Sequence, residues 1–304
     1  MNIKRDDRPG VSKPPPPSLR IPRRGWPLWI TPIALGAGVG AALAQVPAPA
    51  RIVSINLCTD QLALALADPG QIAGLSRFSR NSEMSYLAAG AAGYRALRGS
   101  AEEVLKLEPD LVLAGAFSGR ATRAVLRAHG VRVETFAPPT TIAAAKSEIE
   151  RMAVLLNRPQ KGAALIDDID RAVLEAAVAH AGRPAVSALA IQRRGFVVGR
   201  ETLLSSAMAA TGFVNASAAF GISSIDRAPL EAIVKLNPSV LVLEDLAALR
   251  DQSTALLHHP VLARAGIGSR TLKLPVAEVS CGGPSLPPLI RRLSREAIAQ
   301  NARG

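Results

Sequence analysis

Two segments of this chain repeat one another. Glu102-Glu103-Val104-Leu105-Lys106-Leu107-Glu108-Pro109-Asp110-Leu111-Val112-Leu113 aligns without gaps on Glu231-Ala232-Ile233-Val234-Lys235-Leu236-Asn237-Pro238-Ser239-Val240-Leu241-Val242, with Pro238 lying 129 residues after Pro109. In each copy an acidic residue opens a helical stretch, Lys-Leu-x-Pro ends it, and an apolar run follows at once. Proline cannot continue a helix, and the residue before it is pushed toward extended backbone, so the pattern reads helix, stop, strand. Such junctions recur in many α/β proteins. Matched positions at an offset of about half the chain beyond residue 44 predict two related lobes.

Around the repeat, strand and helix signals alternate. Arg51 to Asn56 is β-rich and runs into a helical stretch from Thr59 to Ala67, and Gln71 to Leu75 and Leu111 to Ala114 are further short strands. A helix over Arg120 to Ala128 stops at Gly130 before Val131-Arg132-Val133. This alternation predicts mostly parallel sheets covered on both faces. From about Thr141 to Ala181 helical periodicity takes over, broken only at Asn157-Arg158-Pro159, and the strand pattern resumes at Val186. The expected organisation is a first lobe over 51–140, a helical connector with one long helix over 141–183, and a second lobe over 184–304.

The net charge of +12 suggests nucleic-acid binding until its distribution is considered. Residues 1–44 hold seven basic and two acidic side chains, and both tryptophans, Trp26 and Trp29. Their order is that of an export signal: a basic n-region, an apolar run from Trp26, and the small-residue end Ala42-Leu43-Ala44. Cleavage after Ala44 gives a soluble protein exported out of the cytoplasm, whereas retention leaves a membrane anchor. Arg23-Arg24-Gly25-Trp26-Pro27-Leu28 resembles a twin-arginine motif but carries Pro22 before the pair, with Trp26 and Pro27 where Phe and Leu are usual, so general secretion stands beside it. The rest of the chain carries +7 spread over both lobes, and no nucleic acid is expected as a partner.

Four segments in order carry a family resemblance: Arg51-Ile52-Val53-Ser54-Ile55-Asn56-Leu57-Cys58-Thr59-Asp60-Gln61, Leu107 to Gly115, Leu203 to Asn215, and Cys281-Gly282-Gly283-Pro284. Together they resemble the periplasmic substrate-binding proteins of ATP-driven (ABC) importers for iron chelates and cobalamin. The resemblance implies the class III fold: α/β, two Rossmann-like lobes with mostly parallel central sheets, bridged by one long helix. It implies a non-enzymatic, monomeric receptor that captures cobalamin, haem or a ferric siderophore between the lobes. It further implies that one carboxylate per lobe docks on arginines of a dimeric membrane permease, at Glu102 and Glu231. Read from physics alone, both acids complement their helix dipoles.

Ligands of parallel α/β lobes sit beyond the carboxyl ends of strands. That rule selects Asn56, Cys58, Thr59 and Asp60 after the first strand, and Phe78, Phe117, Arg120, Arg193, Arg200 and Cys281 on other strand-end loops. Phe117 is the leading candidate for stacking on a flat ligand, ahead of Phe78, Tyr86 and Phe196. Arg77, Arg120, Arg193, Arg194 and Arg200 suit an anionic chelate. Cys58 and Cys281 are the only cysteines, and three readings stand for them: a disulfide, two buried thiols, or ligand contact. A thiolate at Cys58, on a helix N-terminus, also supports a rival reading as an exported enzyme. His129, His180, His258 and His259 lack metal-ligand spacing, so neither a resident metal nor a cofactor is expected.

Overall fold

The computed structural model describes residues 47–117, 119–245, 259–261 and 270–303. The leader, with Trp26 and Trp29, and His258 lie outside the described residues. The first sheet comprises β1 (Ile52–Ser54), β2 (Ile72–Ser76), β3 (Ala96–Leu97), β4 (Leu111–Gly115) and β5 (Val133–Phe136), in the order β3-β2-β1-β4-β5. All its neighbouring pairs are parallel. This strand order, with β1 innermost, is one half of a Rossmann fold. Every residue of β4 is buried, as the central strand of a doubly covered sheet requires. Helices α1 (Leu57–Leu66), α2 (Ala101–Leu105) and α3 (Arg120–Ala128) belong to its connections.

Two consecutive helices follow, α4 (Ile142–Leu155) and α5 (Pro159–His180). Pro159 occupies the first turn of α5, where its missing N–H costs nothing. With 22 residues, α5 is about 33 Å long. Its buried stripe of Gly162, Ile169, Ala172 and Ala176 is narrow and small. A Cβ on Gly162 would lie 2.4 Å from that of Ala153 on α4, so glycine permits the close crossing of the two helices.

The second sheet contains β6 (Val186–Gln192), β7 (Phe196–Val198), β8 (Phe213–Asn215), β9 (Ile225–Arg227), β10 (Val240–Asp245) and β11 (Thr271–Pro275). Its order is β11-β10-β6-β7-β9, with β8 also pairing β6. β8, β10 and β11 run parallel to the strands they adjoin, whereas β7 is antiparallel to both β6 and β9. The reversal follows from the turn at Arg194 and Gly195, whose φ values of 61° and 73° give the left-handed geometry that tight hairpins use. Helices α6 (Leu203–Ala209), α7 (Leu230–Leu236), α8 (Val276–Val279) and α9 (Leu286–Asn301) complete the described elements, and α9 packs along α5.

The repeat survives as geometry. Val104 on α2 and Ile233 on α7 are the fully buried anchors of the two copies. In both copies the residue immediately before the proline is left-handed, Glu108 (φ 46°) and Asn237 (φ 47°). The strands that follow, β4 and β10, each lie beside the strand that opens their sheet, β1 and β6. One apolar core cluster runs from β1 and α1 through α4 and α5 to β6 and α9. The fold is therefore α/β, with two lobes and a long helix between them.

Candidate functional site

β1 delivers Asn56 to the start of α1, where its side-chain oxygen caps the helix by accepting from the N–H groups of Cys58 (3.0 Å) and Thr59 (3.4 Å). The cap fixes the first turn of α1 beneath the ends of β1 and β4. Thr59 is buried, its hydroxyl donating to the Asn56 carbonyl (3.0 Å) and lying 2.7 Å from the Ser54 hydroxyl. Cys58 forms a disulfide with Cys281, across a Cα separation of 5.3 Å and 223 residues of chain. This replaces the free-thiol and thiolate-ligand readings. It also removes the nucleophile of the enzyme reading, because a sulfur in a disulfide has no lone thiolate to attack with.

The bridge joins α1, in the first lobe, to the loop between α8 and α9 in the second. The next residue tightens that junction. A Cβ on Gly282 would lie 2.6 Å from Pro139, 3.0 Å from Ala145 and 3.0 Å from Leu203. Only glycine lets the loop seat at once against the end of the first lobe and the start of α6. Nearby, the Ile142 N–H donates to the Ser206 hydroxyl on α6 (3.2 Å).

A cavity of about 210 Å³ opens at this junction. Asn56, Cys58 and Thr59 form one wall, Gly115 to Phe117 another, Phe136 to Pro139 a third, and Cys281 to Gly283 the last, with Leu62 and Glu148 between them. Phe117 is 86% exposed and stands at the rim. Phe136 is buried and backed by Arg151, whose guanidinium lies 3.7 Å from the ring centroid. Arg151 in turn donates to the Thr135 carbonyl (2.6 Å) and to Glu148 (3.0 Å).

Of the residues selected from sequence, Asn56, Cys58, Thr59, Phe117 and Cys281 come together around this cavity. The others lie elsewhere. Phe78 and Arg77 sit beyond β2, with the Arg77 guanidinium over the Phe78 ring at 5.0 Å. Arg120 is exposed at the start of α3, and Arg193 and Arg200 are exposed at the ends of β6 and β7. Tyr86 is 41% exposed on the first lobe, and Phe196 is covered by Arg227 at 4.9 Å. Glu102 and Glu231 are exposed in the first turns of α2 and α7, at equivalent positions. Glu102 pairs with Lys106 at 2.6 Å, which lowers its pKa. The wall from Phe136 to Pro139 escaped the sequence reading, although the same strand-end rule applied to β5 would have found it.

Asp60 is fully buried and outside the cavity. Its carboxylate accepts from the Ser76 N–H (3.1 Å) and from the Ser76 hydroxyl, tying α1 to the end of β2. Burial pushes its pKa from 3.8 up to about 7, against the opposing hydrogen bonds from Ser54 and Ser76. Glu244, at the end of β10, is also raised by burial, opposed by the Gln192 amide (2.6 Å) and the charge of Arg193.

The chain belongs to the periplasmic binding protein family, whose model matches residues 52–265. No curated protein sequence matches it. Among solved structures it is similar to the periplasmic haem-binding protein of Roseiflexus sp. RS-1, at 26% identity over 83% of this chain and 98% of that one, with a TM-score of 0.70. A periplasmic haem-binding protein from Pseudomonas aeruginosa is likewise 26% identical, over 82% of this chain and 92% of its own, with a TM-score of 0.66. The periplasmic vitamin B12 binding protein of Vibrio cholerae, 16% identical over 83% and 98% of the two chains, shares the fold at a TM-score of 0.64.

Asp60 generates a pH prediction. A raised native pKa means that the folded state holds this proton more tightly than the unfolded chain does, so the stabilisation is complete below about pH 4 and is lost as pH rises toward 7. Asp60→Asn should flatten that loss. Urea unfolding midpoints are expected to fall for the wild type relative to the variant between pH 4 and 7. Parallel profiles would mean that Asp60 is ionised in the native state throughout.

Proposed function

We propose that this protein is an exported, monomeric receptor that captures a metal chelate between its lobes and passes it to the permease of an ABC importer. The cavity at the lobe junction, rimmed by Phe117, carries the reading. Exposed Arg77, Arg193 and Arg200 beyond strand ends, and Arg120 at the start of α3, add the positive charge that would draw an anionic group. The candidate chelates are cobalamin, haem and ferric siderophores, and the similar solved structures include binding proteins for haem and vitamin B12. Capture without chemistry agrees with a disulfide in place of a Cys58 thiolate. The bridge itself suits an oxidising compartment, as does a leader removed on export.

Glu102 and Glu231 are the proposed docking knobs. They occupy the same place in the two copies of the repeat, so one acidic side chain is offered by each lobe to a permease built from two subunits. Paired with arginines, such carboxylates fix orientation and speed encounter.

Calorimetric titration of the protein purified from the periplasm, with cobalamin, haem and several ferric siderophores, tests capture. At least one is expected to bind with a Kd below about 10 μM, or roughly 7 kcal/mol; no binding in that range from any of them would overturn the receptor reading. Docking is tested separately with the double variant Glu102→Lys, Glu231→Lys. Uptake by cells should be lost while chelate affinity stays within about twofold, because like charges then face the permease arginines. Loss of chelate affinity would instead place these carboxylates at the ligand.

A further inference from the structure

We propose that the cavity behind Phe117 is a separate subsite for one uncharged, ring-sized arm of the chelate, while the anionic head stays outside among the arginine-bearing loops. The inference rests on the receptor reading and specifies what its ligand must carry. Size is the first argument. An engineered apolar cavity of about 150 Å³ holds benzene, so about 210 Å³ accommodates one substituted six-membered ring but not a four-ring macrocycle.

Chemistry is the second argument. Leu62, Ala116, Phe136, Pro138 and Pro139 supply apolar surface, and the polar groups on the walls are engaged with the protein. The Asn56 oxygen caps α1, the Thr59 hydroxyl serves Ser54 and the Asn56 carbonyl, and Glu148 accepts from Arg151. A charged arm entering here would lose its hydration without a committed partner, whereas an apolar ring loses nothing.

Rigidity is the third. Protein interiors seldom keep voids larger than a water molecule, because neighbouring side chains relax into them. Here the walls are held apart: the disulfide fixes one side, Gly282 is already at closest approach to Pro139 and Ala145, and Arg151 braces Phe136 from behind. A preformed apolar hole that cannot collapse is suited to a tenant that arrives and leaves. Phe117, exposed at the rim, gives the arm a ring face to pass against.

The test uses the exported protein and two ferric tris-catecholates built from catechol amides that differ only in an N-methyl or N-benzyl group, with benzene as an independent probe. The benzyl complex is expected to bind at least about tenfold tighter, and benzene to raise Tm. Ala116→Leu, which fills the cavity, should remove both effects: the benzyl complex then binds no tighter than the methyl complex, and benzene no longer raises Tm. Ala137→Leu, at an exposed wall position, provides the same test if the first variant fails to fold. Equal affinities for the two complexes in the wild type, or a benzyl advantage that survives both fillings, would overturn the subsite. If neither complex binds, the receptor reading fails for this class of chelate and benzene decides the subsite: a Tm rise abolished by filling supports it, and no rise overturns it.

Discussion

The covalent link between Cys58 and Cys281 sets the geometry on which the rest of the site depends. Each cysteine belongs to a different lobe, and each sits in the short segment that meets the cavity. Without the bridge, the loop carrying Gly282 would rely on apolar contact alone to stay against Pro139, Ala145 and Leu203. With it, the first turn of α1 and the approach to α9 become one rigid wall. Closing a loop across 223 residues of sequence removes much freedom from the unfolded chain, an effect of about 2 to 4 kcal/mol in typical proteins. The long helix α5 supplies the second connection, and the apolar cluster around α4, α5 and α9 makes the junction continuous with the core of both lobes.

This construction fixes the junction between the two lobes through the chain's own covalent and packing contacts. Hinged receptors close by changing backbone angles in flexible strands between domains. Here the crossing elements are a helix and a disulfide, neither of which has an easy alternative conformation, and the loop at Gly282 is packed closely against Pro139, Ala145 and Leu203. The first lobe is stiffened internally as well. Asn56 caps α1, Thr59 and Ser54 share a hydroxyl pair, and Asp60 holds the end of β2 through Ser76. Asn56, Thr59 and Asp60 all follow β1 within one turn of α1, and their bonds hold the wall formed by Asn56, Cys58 and Thr59 in place.

Much of this was legible in the sequence. The two Lys-Leu-x-Pro copies announced paired lobes, and the left-handed residues Glu108 and Asn237 show that the copies match in backbone as well as in letters. The strand-end rule found Asn56, Thr59 and Phe117 because it depends only on local order. What escaped was whatever depends on partners distant in sequence. Three fates stood open for the cysteines until the 5.3 Å separation of their Cα atoms brought the bridge within reach. Asp60 looked like its neighbours, but on the helix it turns inward, where burial raises its pKa. The antiparallel turn of β7 hung on two left-handed residues, Arg194 and Gly195, that no hydrophobic pattern marks.

The claim at the centre of this account is that the cleft is preformed and fixed. Small-angle scattering of the exported, oxidised protein, recorded alone and saturated with whichever ferric chelate binds it, tests that claim most directly. The 260 residues that follow Ala44, as a compact chain, have a radius of gyration of about 18 Å, and a rigid junction predicts the same value, within about half an ångström, in both states. A contraction of about 1 Å or more on binding would show that the lobes close around the chelate, and that the disulfide and the long helix do not hold them apart.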